Sequence, residues 1–227
     1  ENARLGILHL TYLEALDFLE READSIWWTK PLTVNWPSSG NFFSPWAWSL
    51  DLTDPTHWDV NLHELGHAVQ AGAMHARPAG GQHKIDECYS AALAWSEGWA
   101  SFFAAAVRLK HDDGNAKFEF MVPRRAPIHI ENVPEDVCKS ETNEWRVLAG
   151  LWDLTDTHPD GLDHFAMPFN QLWRSLRGQS MGAMGEAWAL IKNNLSGPKH
   201  RSAEDALIQN TLLAPHSPLV VSLPNIS

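Results

Sequence analysis

The stretch HELGHAV, residues 63–69, places two histidines four positions apart with a glutamate directly after the first. In a helix of about 3.6 residues per turn, His63 and His67 lie on one face, one turn apart, so both imidazoles can bind the same metal ion. Glu64 then lies beside that ion. A catalytic zinc site needs about three protein ligands and an open position for water, so the motif requires a third ligand elsewhere in the chain.

A second segment, SEGWASFF at 96–103, provides that ligand. Its composition, rich in Ala, Trp and Phe, predicts a helix from about Ser90 to Leu109 that is buried on most sides, and Glu97 is the only acid between Leu93 and Lys110. A buried carboxylate without a partner is costly, and a metal ion is a suitable partner. We therefore predict Zn²⁺ bound by His63, His67 and Glu97.

These two motifs together resemble those of the gluzincin metallopeptidases. SEGWASFF is similar to the GEGWSDF segment of the fungalysins, and a weaker similarity extends over NEWRVLAGLWDLTD at 143–156. The resemblance implies a zincin-type catalytic domain of the thermolysin-like group, with Glu64 as the general base that activates water. It also implies a polypeptide or glycoprotein substrate.

One position departs from the fungalysin pattern. Those proteins have an aspartate four residues after the ligand glutamate, whereas this chain has Ser101. Because a hydrogen-bonding partner normally orients each ligand histidine, another group such as Asp59, Asp86 or a backbone carbonyl is expected to do so.

The resemblance further implies a second electrophile for the oxyanion of the reaction. Thermolysin-like peptidases use a histidine held by an aspartate five positions earlier, and Asp153 and His158 have this spacing. His158 is therefore the predicted catalytic partner of Glu64. The alternatives are His129, Tyr89 and His83.

The same acidic turn, DTHPDGLD at 156–163, also resembles an incomplete calcium-binding loop. Ca²⁺ is therefore a second candidate cofactor, although Met167 stands where a calcium loop would end in glutamate. In that interpretation the carboxylates of Asp156, Asp160 and Asp163 converge away from the cleft, and His158 has no catalytic role.

Other zinc patterns fit less well. A metzincin needs glycine and histidine three and six residues after the second histidine, where this chain has Gln70 and Ala73. An aspzincin-like ligand, Asp86 in IDECY, stays open as an alternative to Glu97.

Peptidases of this clan bind substrate as an extended strand at a sheet edge, and Ala47–Leu52 is the expected edge. Tryptophans in the turn-rich segment before it, Trp36, Trp46 and Trp48, are candidates for a subsite that accepts an apolar or sugar-bearing group.

The composition limits the partners. With 17 basic and 28 acidic residues, the formal net charge is −11, which disfavours nucleic acid and anionic membranes. No run of 18 apolar residues predicts membrane insertion. We expect a secreted protein whose leader is absent from this chain, and the sequence does not give an oligomeric state.

The expected fold is α+β and predominantly helical, as one zincin-like domain over 1–227. Residues 1–109 would provide a small sheet and the two ligand helices, and 110–227 a mainly helical part. The predicted strands lie between Lys30 and Leu52, and the predicted helices are Arg4–Ala23, Asp54–Gly72, Ser90–Leu109, Thr142–Leu154, Phe169–Leu176 and Met184–Asn193.

Cys88 and Cys138 each precede a helix of the proposed site, and we predict that they form a disulfide. Two other functions stay open. One is a zinc-binding module without catalysis, against which the intact Glu64 argues. The other is a zinc hydrolase of a non-protein amide, such as a peptidoglycan or glycoconjugate bond, which the aromatic segment favours.

Overall fold

A computed structural model describes residues 1–23, 31–75 and 79–216. This part of the chain is predominantly helical with little sheet, which confirms the expected α+β composition. Its helices are α1 (Asn2–Glu22), α2 (Trp58–Ala73), α3 (Ala91–Arg108), α4 (Glu144–Asp153), α5 (Phe169–Leu176), α6 (Met184–Lys192) and α7 (Gly197–Gln209). Its strands are β1 (Thr33–Asn35), β2 (Phe42–Ser44), β3 (Ser49–Asp51), β4 (Lys117–Phe118) and β5 (Ile128–His129).

The larger sheet has the order β1-β3-β2, with β1 parallel and β2 antiparallel to β3. The predicted edge, Ala47–Leu52, contains β3, which is the central strand with Leu50 fully buried. That prediction was wrong because β2 forms a hairpin with β3 and takes the outer position. The edge strand beside α2 is therefore β2.

Helices α2, α3 and α4 pack closely because two glycines allow it. A Cβ at Gly66 would lie 2.8 Å from the Cα of Ala100, and a Cβ at Gly98 would lie 2.6 Å from the Cβ of Val147. Trp99 Nε1 also donates to the Gly66 carbonyl at 3.3 Å. The glycine of HELGH thus allows the close approach of the two predicted ligand helices, α2 and α3, and the glycine of SEGWA allows that of α3 and α4.

The core is aromatic and surrounds α3, as the composition of that helix predicts. Trp95, Trp99, Trp145 and Trp152 are buried, whereas the Trp46 side chain is 96% exposed. Ser90 caps α3 by accepting from the Leu93 N–H at 3.2 Å.

Other boundaries differ from the predictions. Helix α2 begins at Trp58 and not at Asp54, because the Asp54 side chain accepts from the backbone and hydroxyl of Thr56 in a separate turn. Helix α7 and the β4–β5 hairpin were not predicted. Lys30, the start of the predicted strand region, lies outside the described residues, as does the tail from 217.

The predicted disulfide is confirmed. Cys88 and Cys138 are bonded, with their Cα atoms 5.6 Å apart. The bond joins the segment before α3 to the segment before α4, so it links the approaches to two helices that pack against each other.

Candidate metal centre

Three predicted ligands from two helices meet at one point. The Nε2 atoms of His63 and His67 on α2 lie 3.1 and 3.2 Å from Oε2 of Glu97 on α3. Potential ligand atoms of the three residues all lie within 4.8 Å of one another. Two imidazoles and one carboxylate form the donor set that zinc takes in catalytic sites, so these residues fit the ion.

Serine hydroxyls contact the remaining nitrogen of each histidine. His63 Nδ1 lies 3.0 Å from Ser101 Oγ, and His67 Nδ1 lies 3.4 Å from Ser96 Oγ. Ser101 therefore occupies the position that a fungalysin aspartate would fill, which makes a remote carboxylate unnecessary.

The carboxylates expected in that role act elsewhere. Asp59 is fully buried, and its Oδ2 accepts from the backbone N–H groups of Glu119, Phe120 and Met121 at 2.8 to 3.1 Å. Asp86, the alternative ligand, forms a bidentate ion pair with Arg124 at 2.6 and 3.1 Å. Asp59 thus fixes one wall of the cleft, and Asp86 is already paired.

The pKa values of Glu97 and Glu64 depend on burial and on contact with the two histidines. Burial would raise the pKa of Glu97, but hydrogen bonds from His63 and His67 outweigh it and hold that pKa well below its usual value. Burial raises the pKa of Glu64, against the opposing effect of the two histidines. A raised pKa brings a carboxylate closer to the range in which a general base works at neutral pH.

Two cavities border this cluster. One, of about 390 Å³, is lined by Glu64 and by Phe42, Phe43 and Trp46 from β2 and the turn after it. The other, of about 370 Å³, is lined by Glu64 and by the Phe120–Pro123 segment that Asp59 holds. Glu64 lines both, which places its carboxylate where water and substrate can reach it.

His83 lines both cavities as well. Its Nδ1 lies 2.6 Å from Glu144 Oε2, and its Nε2 lies 3.7 Å from Glu97 Oε2. The contact with Glu144 outweighs burial and raises the pKa of His83 to about 9. The carboxylate of Glu144, at the start of α4, thus favours the cationic form of His83 beside the three candidate ligands.

His158 does not line either of these cavities. It lies instead in a separate cluster with Glu131 and Asp156, against Gly114. The Asp153 side chain accepts from Asn210 and not from His158. Helix α4 ends at Asp153, and the contact of Asp153 with Asn210 means that the five-residue spacing does not pair this aspartate with His158.

Two of the alternatives for the electrophile, Tyr89 and His129, do not line these cavities. Tyr89 donates its hydroxyl to Glu87 at 3.2 Å, and the His129 side chain is exposed on β5. Among the three alternatives, only His83 borders the cavities that Glu64 lines.

Comparison with known protein families gives one match. The mycolysin C-terminal domain model covers residues 19–211, which is most of the chain and includes all three candidate ligands. The chain belongs to the mycolysin C-terminal domain family. This links it to mycolysin-type peptidases. No curated protein matches the chain significantly.

Within this mycolysin-family domain, sequence reasoning did not identify Glu144 or Ser96 as parts of the site. Glu144 lies in the NEWRVLAGLWDLTD segment, whose weak similarity to the fungalysins was the only signal for this residue. The signal for Ser96 was its position next to Glu97 on a buried helix.

Among the described residues, none of the helices has the length and apolar character needed to cross a membrane.

Proposed function

We propose that this chain is a zinc-dependent metallopeptidase domain that hydrolyses peptide bonds. The observation that supports it best is the convergence of His63, His67 and Glu97, with Glu64 beside them at two cavities. A zinc ion bound by the three ligands would polarise a water molecule and lower its pKa toward ~7.

Each protein residue has a distinct part in the reaction. Glu64 accepts the proton of the attacking water and passes it to the leaving amide nitrogen. His83, cationic through its contact with Glu144, donates to the carbonyl oxygen as negative charge develops on it. Ser101 and Ser96 hold the imidazoles of His63 and His67 in orientation.

An extended polypeptide fits the cleft as substrate. Strand β2 is at the edge of its sheet, and Phe42 and Phe43 line the cavity beside Glu64. Backbone hydrogen bonds to such an edge bind a peptide with little dependence on sequence, and the exposed Trp46 offers an apolar contact at the rim. The Cys88–Cys138 disulfide supports a secreted location, since disulfides persist in oxidising compartments.

Replacing Glu64 with Gln tests the proposal, because the change removes the base and leaves the ligands. We expect equal zinc content in both proteins, and a loss of about 10²- to 10⁴-fold in hydrolysis of an unfolded protein substrate. Glu20→Gln, the same change at an exposed position on α1, should retain full activity.

Two results would contradict the proposal in different ways. Activity of the Glu64→Gln variant within tenfold of the parent would exclude Glu64 as the base. A parent that binds zinc but hydrolyses no peptide bond would favour the non-catalytic zinc module.

A further inference from the structure

A second group of ionisable side chains lies apart from the candidate metal centre. Glu131 follows β5, and Asp156 and His158 follow α4, yet one potential ligand atom of each lies within 4.8 Å of the others. Asp163 joins them, since its carboxyl interacts with that of Asp156. The three carboxylate residues are almost fully buried, with 5% of Glu131, 0% of Asp156 and 2% of Asp163 exposed.

Hydrogen bonds hold one oxygen of each carboxylate. Trp152 Nε1 donates to Glu131 at 3.1 Å, the His158 N–H donates to Asp156 at 3.1 Å, and the Phe165 N–H donates to Asp163 at 3.2 Å. These contacts orient the carboxylates but do not account for all of their atoms.

Two buried atoms of the cluster have no partner. Asp156 Oδ1 and His158 Nδ1 are enclosed and form no hydrogen bond. In the described part of the chain, the Lys and Arg ion pairs involve other carboxylates. A buried acceptor among several carboxylates, with no lysine or arginine of the described residues paired to them, requires a cation or shared protons.

We propose that Glu131, Asp156, Asp163 and His158 form a second site that binds one divalent cation. Carboxylate oxygens suit Ca²⁺, and the addition of an imidazole nitrogen suits Zn²⁺. The ion would join the end of the β4–β5 hairpin to the turn after α4, which gives it a structural role.

The raised pKa values of two carboxyl groups in this cluster support a bound cation. Burial, followed by the charges of Glu131 and Asp163, raises the pKa of Asp156 to about 9. Burial likewise raises the pKa of Asp163 to about 6. Without a cation, these groups would have to share protons. The experiment therefore has to distinguish a cluster that binds a cation from one that shares protons.

Metal analysis after chelation and equilibrium dialysis tests the proposal. The parent is dialysed against Zn²⁺ alone and against Zn²⁺ with Ca²⁺, and bound ions are counted by mass spectrometry. In the dialysis against Zn²⁺ with Ca²⁺, we expect two divalent cations per chain in the parent, one in Asp156→Asn, and two in Asp112→Asn, which removes an exposed carboxylate from a nearby loop. His158→Gln distinguishes the ions, because it should weaken a second zinc and leave a calcium ion bound.

Thermal unfolding provides the second readout. Saturation of the second site should raise the Tm of the parent by roughly 5 °C or more, and Asp156→Asn should lose this response even if its metal-free form is more stable. The His67→Ala variant should lose the first ion and keep the second, so failure at one site is distinguishable from failure at the other. Proton sharing predicts a single ion in the parent even with Ca²⁺ present, bound at the centre of His63, His67 and Glu97, and that result would overturn the proposal.

Discussion

At the scale of single residues, short polar side chains complete the candidate centre. Ser101 and Ser96 contact the ligand histidines because α3 lies close enough for a hydroxyl to reach each Nδ1. A carboxylate at position 101 would add a negative charge next to Glu97. The serine therefore replaces the expected aspartate without loss of orientation.

His83 gives the residue-scale prediction. Glu144 raises the pKa of His83, which favours its cationic form at neutral pH, and this form is lost as the pH rises through that pKa. We expect kcat/KM of the parent to decline on the alkaline side. His83→Gln should lower kcat by about 10²- to 10³-fold, retain zinc and lack this alkaline limb.

His75→Gln serves as the matched control, since His75 is exposed after the end of α2. It should leave the pH profile of kcat/KM unchanged. A His83→Gln variant with the parental profile and rate would remove His83 from the mechanism.

At the scale of elements, the distance between α2 and α3 decides whether the ligands meet. Gly66 lies against the backbone of Ala100, where a methyl group would approach to 2.8 Å. Because backbone atoms cannot rotate away as a side chain can, a residue larger than glycine at position 66 would force one of the two helices to move. The close contact between α2 and α3 thus explains why the HELGH segment has glycine at position 66.

Gly66→Ala should consequently destabilise the fold by about 1–3 kcal/mol and weaken zinc binding, because the shift separates His63 and His67 from Glu97. Denaturant unfolding and zinc titration measure the two effects. Gly6→Ala on α1, where no atom lies within 4 Å of the added Cβ, should be neutral or slightly stabilising. Equal stability and zinc affinity in the parent and Gly66→Ala would show that this contact does not set the helix spacing.

The ligand helices were predictable from the sequence because their signals are local. Each signal lies within one helix. The first is the four-residue spacing of the histidines, and the second is the single acid in an apolar segment. The edge strand β2 was not predictable, and His83 was only one of several alternatives for the proposed electrophile. These residues and Glu144 reach the cleft through turns and disulfide-linked segments. Helix α7 is rich in polar residues and buries only Ala203, Ala206 and Leu207, so few apolar positions indicated it in the sequence.

At the scale of the whole molecule, the disulfide links the two segments that lead into α3 and α4. The bonded cysteines are 50 residues apart, so the bond restricts a long loop of the unfolded chain. The Cys88→Ser, Cys138→Ser double variant should lose about 4 kcal/mol of unfolding free energy by the chain-entropy estimate.

Urea denaturation of the double variant, and of the parent with and without reductant, measures this loss. The reduced parent and the double variant should unfold at similar urea concentrations. A difference of less than about 1 kcal/mol between the oxidised parent and the double variant would contradict this account of the bond.

The central claim is that one zinc ion is bound by residues of both α2 and α3. Zinc-edge anomalous diffraction from crystals of the zinc-loaded protein tests it most directly. The account predicts an anomalous peak about 2.0–2.2 Å from His63 Nε2, His67 Nε2 and a carboxylate oxygen of Glu97, with Glu64 outside bonding distance. A structure in which Glu97 points away from that peak, or in which Asp86 takes its place, would contradict the claim.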